Sequence, residues 1–396
     1  MTRSLPGASE NRLFTPAFIG LGLVELAYFT AQGLVIPLTP LFAEGRLGAD
    51  EVGVGVTVGS FSVTALLLRP LAGQLADRRG RRPLLIGGAL LAAAAIAAHA
   101  IAADLAVLIG LRLLMGIAEA FFFVAGFAMV ADLAPPGRAG EALSFNSLAL
   151  YLGIAFGPIV GEAMLGVGGF DMGWAVAAGL TLAAGIGALA FSETAVRKSE
   201  PGPMTIIHRG ALLPSIGLFT GVAGMAGFLW FLALYVRELG MAGAGSVLML
   251  FGLVVVGTRI VFARLPDRVP PFRLAAAALA MIAVGLGAVA VTHTVPGLFI
   301  GAALTALGVA FTTPAFFAAI VDRVAPSERG VALGTTSLFI DLAFGGGPML
   351  FGFVAAAFGI VAGFASGALL AAIGAAGTAY AATRRSQQNV RPQVSE

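Results

Sequence analysis

Several apolar stretches of this 396-residue chain are interrupted by ionisable and polar side chains at telling spacings. In the first stretch Glu25, Tyr28 and Gln32 fall at i, i+3 and i+7, one polar stripe on an otherwise apolar helix. Further on, Arg112 and Glu119 are seven residues apart, which on a helix is about 20° around the axis and roughly 10 Å along it. They share a face without being neighbours. Asp341 sits near the middle of a late stretch, and Trp230 falls mid-stretch rather than at an end, where tryptophan concentrates in membrane helices. A carboxylate in such surroundings either binds and releases a proton, meets a cationic ligand, or satisfies a local partner such as Arg112 or a backbone group. Glu25 is the first candidate for the proton or cation role and Glu119 the second. Asn146 and Ser147 serve either helix contact or ligand, and Arg69 and Arg259, near helix ends, read as structural groups that snorkel.

Other chemistry is not expected. Cysteine is absent, and His99, His208 and His293 are scattered, so neither a metal site nor thiol chemistry is anticipated. No nucleophile–base set stands out, so neither an enzyme nor a cofactor is expected. Nor is a nucleic-acid partner.

The elements that must position these residues follow from composition. With 59% hydrophobic residues, 11% charged residues and a mean hydropathy of +0.97, the chain is made for a bilayer. A spanning helix takes roughly 20 apolar residues. Reading apolar windows against charged breaks gives twelve spans near 15–42, 51–72, 83–102, 105–131, 142–166, 172–191, 211–236, 243–263, 274–292, 296–321, 330–357 and 360–382. The fold class is therefore all-α integral membrane. The 55 glycines suit close helix packing in lipid. The first span lacks a convincing cleavage site and reads as uncleaved. With the N-terminus inside, the external loops hold only Arg46 and Arg237, while the other basic residues outside the spans, from Arg3 and Arg12 to Arg391, are internal. The positive-inside rule places both ends in the cytoplasm, and the expected location is the cell (inner) membrane.

Sliding the chain along itself by one constant offset, the shift that carries Asp77-Arg78 onto Asp267-Arg268, superimposes a series of features without a gap. At that offset Arg69 falls on Arg259, Asp132 on Asp322, Pro136 on Pro326, Ser147-Leu148 on Ser337-Leu338, and Gly157-Pro158 on Gly347-Pro348. Two parallel six-span halves follow, 1–191 and 210–396, joined by a polar cytoplasmic linker at 192–209 that carries Arg197, Lys198, Glu200, Pro201 and Pro203. The intramembrane charges do not repeat: Glu25 falls on Ser215, Arg112 on Ala302, Glu119 on Val309 and Asp341 on Tyr151.

The segment joining the second and third spans, Gly73-Gln-Leu-Ala-Asp77-Arg78-Arg-Gly80-Arg81-Arg82, resembles the loop signature of the major facilitator superfamily. Gly73 would permit close helix contact, Gly80 a tight turn, and Asp77 a bond to basic groups or to the N-terminus of a helix from the other half, latching one conformational state. In the fifth span, Gly153-Ile-Ala-Phe-Gly157-Pro158-Ile-Val-Gly161 is similar to the glycine-proline motif of the twelve-span drug:proton antiporters, with Glu162 where that family often has another glycine. Glycines at four-residue intervals make a groove for a neighbouring helix, and Pro158 can bend the span. Gly33-Leu-Val-Ile-Pro37-Leu-Thr-Pro40 resembles the proline pair of the same antiporters. Leu111-Arg112-Leu-Leu-Met115-Gly116-Ile-Ala-Glu119 resembles a further superfamily motif centred on a membrane-embedded arginine, with Met115 in place of the usual glutamine and Glu119 in place of a small residue.

The resemblance implies an alternating-access carrier of two six-helix bundles, working as a monomer on a small-molecule substrate and driven by the proton gradient. Several acids against one deep arginine favour cationic or neutral lipophilic substrates. Phe228, Trp230, Phe231 and Tyr235, with Phe311, Phe316 and Phe317, are candidates for the apolar wall. An uptake symporter for a sugar or organic acid, with Arg112 as the anion contact, is the first alternative. A non-transporting sensor or scaffold is the second.

Overall fold

The structure, a computed structural model, describes residues 13–135, 138–194, 207–325 and 328–390. Arg3, Arg12, Arg391, the Pro136/Pro326 pair and the linker residues Arg197, Lys198, Glu200, Pro201 and Pro203 lie outside them.

Regular structure among the described residues is helical. The helices are α1 (Pro16–Leu47), α2 (Glu51–Arg79), α3 (Arg81–Ala98), α4 (Leu105–Leu133), α5 (Ala139–Ala188), α6 (Arg209–Glu238), α7 (Gly245–Val261), the short α8 (Leu265–Arg268), α9 (Pro271–Thr292), α10 (Val295–Val321), α11 (Arg329–Phe358) and α12 (Ile360–Val390). Ten of these are long and apolar enough to cross a membrane. Lipid offers backbone groups no hydrogen-bond partner, so an apolar run of this length satisfies them within the helix.

The expected spans map onto these elements in order, with two particulars. The fifth and sixth expected spans form the single element α5, broken at Gly168 and Gly169; Gly169 has φ 69°, a left-handed conformation that glycine adopts without a side-chain clash. The eighth expected span is α7, only 17 residues long. Helix starts are set by local chemistry. The Asp104 side chain accepts from Val107 N at 2.8 Å to cap α4, and Thr294 Oγ1 accepts from Gly297 N at 3.2 Å to cap α10.

The chain packs as two units. The first comprises Met1–Leu38 and Val63–Gly202, the second Thr39–Ser62 and Pro203–Glu396. The end of α1 and the first part of α2 thus group with the second unit, whereas the sequence repeat assigns them to the first half.

In the first unit α3 packs on α4 and α5. The glycine-proline motif of α5 receives α1: a Cβ at Gly157 would stand 2.6 Å from Gly33 Cα, and one at Gly161 would stand 3.1 Å from Leu38 Cδ1. Gly153 lies against the Phe29 backbone. In the second unit α6 packs on α11 and α12, and α9 on α10 and α12. The copy of the motif behaves alike there, since a Cβ at Gly347 on α11 would stand 2.9 Å from Ala223 Cα on α6. The repeat offset that carries Gly157 onto Gly347 also carries Gly33 onto Ala223. The same helix pair docks at the same point in each unit.

The second unit also contains the aromatics proposed as a pocket wall. Phe228, Phe231 and Tyr235 are fully buried. Phe231 packs on Phe351 at 6.1 Å between ring centroids, Tyr235 on Phe364 at 5.0 Å, and Phe228 on Phe251 at 6.0 Å. These rings lie in the unit's core, each against its aromatic partner.

Candidate functional site

The polar stripe of α1 is buried inside the first unit. Glu25 is 1% exposed, Tyr28 is fully covered, and Glu119 of α4 is 9% exposed. The Asn146 amide of α5 donates from Nδ2 to Glu25 Oε2. The other oxygen, Oε1, has no hydrogen-bond partner. It faces Gly126 of α4, where a Cβ would stand 2.5 Å away. Glu119 stands close enough to act electrostatically on Glu25. The Tyr28 hydroxyl lies beside the Glu119 carboxyl and the Gln32 amide without closing a hydrogen bond of regular geometry. Three helices therefore deliver two carboxyl groups, two amides and a phenol to one place.

Aromatic packing fixes the stripe. The Tyr28 ring stacks on Phe122 of α4 at 3.7 Å and 9°, and meets Phe29 edge-on at 5.8 Å. Because Tyr28 is locked by this stack and by its position one turn from Glu25, the stripe's facing is set by apolar contacts. Arg69 lies over the Phe123 ring at 4.6 Å.

Arg112 is buried on the same helix as Glu119. Its Nη1 meets Met115 Sδ at 3.6 Å, and it stands near His99. The His99 Nδ1 pairs with Ala95 O at 2.7 Å, and its ring lies 4.9 Å from that of Trp174. Trp174, fully buried, is the tryptophan held in the first unit's interior. Trp230 is only partly buried and lies on α6, and Asp341 is buried on α11. Both belong to the second unit, whereas the stripe belongs to the first.

At Gly80, φ is 98°. The Glu193 carboxylate occupies the space above it and accepts from Arg81 N at 2.7 Å and Arg82 N at 3.2 Å, capping the start of α3. Arg82 Nη2 donates to Leu189 O at 2.7 Å. Arg81, almost fully buried, pairs with Asp132 at 2.8 Å, while Asp77, half exposed, is 3.9 Å from it. Arg78 is exposed. The acid on the helix N-terminus here is thus Glu193, which sequence reasoning passed over; a carboxylate so far downstream carries no local signal of that role. At Gly73 a Cβ would meet no atom of the described residues within 4 Å.

Asn146 had a legible signal that went unused. The offset that carries Glu25 onto Ser215 carries Asn146 onto Thr336, and both pairs touch.

The sequence pattern of the Major Facilitator Superfamily matches residues 21–295. The chain belongs to the major facilitator superfamily. An uncharacterised MFS-type transporter of Burkholderia mallei is 31% identical over 363 residues, covering 89% of this chain and 88% of that protein. One from Salmonella typhimurium is 29% identical over 350 residues, covering 86% and 90%. Among solved structures, a bacterial homologue of the human lysosomal transporter Spinster superposes with a TM-score of 0.79 at 14% identity, covering 93% of this chain and 98% of that one. The nucleoside transporter NupG superposes with a TM-score of 0.77 at 13% identity, covering 92% and 98%. This major facilitator protein is accordingly a multi-pass membrane transporter with the fold of its superfamily.

Proposed function

We propose that this secondary transporter exports a small cationic or neutral lipophilic compound in exchange for protons, with Glu25 and Glu119 as the groups that take up and release them. The observation that carries the reading is the burial of two carboxyl groups in one polar cluster, with Glu25 Oε1 lacking any partner. Buried carboxyl groups are costly to maintain, and a transporter has a use for sites that alternate between neutral and charged forms. Tyr28, Gln32 and Asn146 supply dipoles to both forms.

The cycle is alternating access of the two sequence halves, 1–191 and 210–396, with Gly80 and the Arg81–Asp132 corner as part of the conformational frame. Protonation of the cluster from outside displaces substrate, and loss of the proton inside lets substrate rebind. The distribution of arginines supports both termini in the cytoplasm of a cell with this protein in its inner membrane. The working unit is a monomer.

An uptake symporter is the second reading, favoured by one observation: Arg112 is buried on α4 in the same unit and suits an anionic substrate. Purified protein in proteoliposomes decides between them. A compound that stabilises the protein thermally is loaded inside or outside, a proton gradient is imposed, and substrate and proton fluxes are followed. Opposite fluxes, lost in Glu25→Gln and Glu119→Gln, support exchange. Accumulation with the protons, or flux untouched by both substitutions, overturns it.

A further inference from the structure

Resting on the reading that Glu25 carries the proton, we propose that Asn146 is a positioning residue that directs that proton to one oxygen of Glu25, Oε1. The argument starts from what the amide can do. Its N–H requires a lone pair on the oxygen it meets, and the better acceptor of a neutral carboxyl is its carbonyl oxygen. By donating to Oε2, Asn146 makes Oε2 the carbonyl oxygen whenever the group is neutral. The O–H bond then forms at Oε1, from a proton delivered by water, and the same bond breaks on release. Oε1 is the oxygen without a partner, and it lies over Gly126, where the absence of a side chain leaves the room that a Cβ at 2.5 Å would take.

The second unit supplies the internal comparison. At the equivalent point, Ser215 Oγ of α6 and Thr336 Oγ1 of α11 meet at 3.0 Å. Two hydroxyls therefore suffice to tie this helix pair together. In the first unit the same position carries a buried acid and an amide, a combination that fastening alone does not require and that burial makes costly.

Among the described residues, groups from two neighbouring helices face Glu25. From α4 it meets Glu119 and Gly126, from α5 Asn146, and on its own helix Tyr28 follows one turn on. Asn146 is the group that donates to the carboxyl with a defined bond. Glu119, as a second acid, acts on how readily the pair ionises and not on which oxygen is chosen.

The test is infrared difference spectroscopy of the purified full chain in lipid nanodiscs across the pH range over which it stays folded, with protons as the only ligand. The protonated-carboxyl band of Glu25 is identified by its loss in Glu25→Gln. In Asn146→Ala that band is expected to move to higher wavenumber, because its carbonyl loses a donor. Its proton affinity is expected to rise about tenfold, since a hydrogen bond to a charged group contributes on the order of one pH unit. Asn146→Thr, which installs the residue that Thr336 shows to fit this helix pair, is expected to shift the band in the same direction by less. An unchanged band position and midpoint in both variants overturns the role of Asn146 while leaving Glu25 as the proton carrier. Absence of any carboxyl band that Glu25→Gln removes overturns the Glu25 reading itself.

Discussion

Ser215 and Thr336 meet hydroxyl to hydroxyl at 3.0 Å in the second unit, at the positions onto which the internal repeat carries Glu25 and Asn146. One helix-to-helix tie has thus been kept in both units with different chemistry at its centre. In the second unit it joins two small neutral groups, and in the first it joins an acid to its donor.

The two ties are expected to respond differently to mutation. Ser215→Ala or Thr336→Ala removes a neutral hydrogen bond that contributes about 1 kcal/mol, and transport is expected to continue at near wild-type rates. Glu25→Gln is expected to lower proton-coupled flux at least about tenfold, equivalent to about 1.4 kcal/mol, with little loss of thermal stability. Flux assays in proteoliposomes alongside thermal unfolding check both. Equal loss of flux in the two sets would show that Glu25 acts as a helix tie and not as the proton carrier.

Glycine substitutions separate packing from sequence pattern. Gly157→Leu places a side chain where Gly33 Cα would be 2.6 Å from the new Cβ, and is expected to cost about 1–3 kcal/mol or to prevent folding. Gly73→Ala enters open space and is expected to be neutral or slightly stabilising, since alanine favours a helix by about 1 kcal/mol over glycine. Midpoints of thermal unfolding in detergent order the two variants. A destabilised Gly73→Ala protein would support the close contact at Gly73 that the loop signature suggested.

Glu193 is expected to matter to the fold of the loop signature more than Asp77 does. Glu193→Ala removes both hydrogen bonds at the start of α3, a loss of about 0.5–2 kcal/mol by analogy with helix N-caps. Asp77→Asn, at a half-exposed acid 3.9 Å from Arg81, is expected to change stability by less than about 1 kcal/mol. Asp132→Asn weakens the partner of nearly buried Arg81 and belongs with Glu193→Ala. Thermal shifts that rank Asp77→Asn as the most damaging of the three would contradict this order.

Tyr28→Phe isolates the phenol. The hydroxyl closes no regular hydrogen bond and the ring keeps its stack on Phe122, so stability is expected to change by less than about 0.5 kcal/mol. The pH dependence of flux is expected to move, because the hydroxyl lies beside Glu119. A pH profile that superimposes on the wild type would remove Tyr28 from the proton path.

Much of this protein was determined by its sequence alone, for physical reasons. Apolar runs long enough to cross a bilayer have one way to satisfy their backbone, so the helices and their order were legible, and a single constant offset carried the repeat. The stripe Glu25, Tyr28 and Gln32 was legible because helical periodicity puts residues at those spacings on one face. What the sequence left open depended on contacts between distant segments. The burial of Glu25 against Asn146, the capping of α3 by Glu193, and the packing of Phe231 and Tyr235 on Phe351 and Phe364 each join residues that no local pattern connects. The grouping of Thr39–Ser62 with the second unit is of the same kind. There a Cβ at Gly55 would stand 2.7 Å from Pro348 O and one at Gly59 2.6 Å from Gly345 O, so α2 meets α11 backbone to backbone. Close approach in lipid is decided by which small residues find one another in space, and only the tertiary structure fixes that choice.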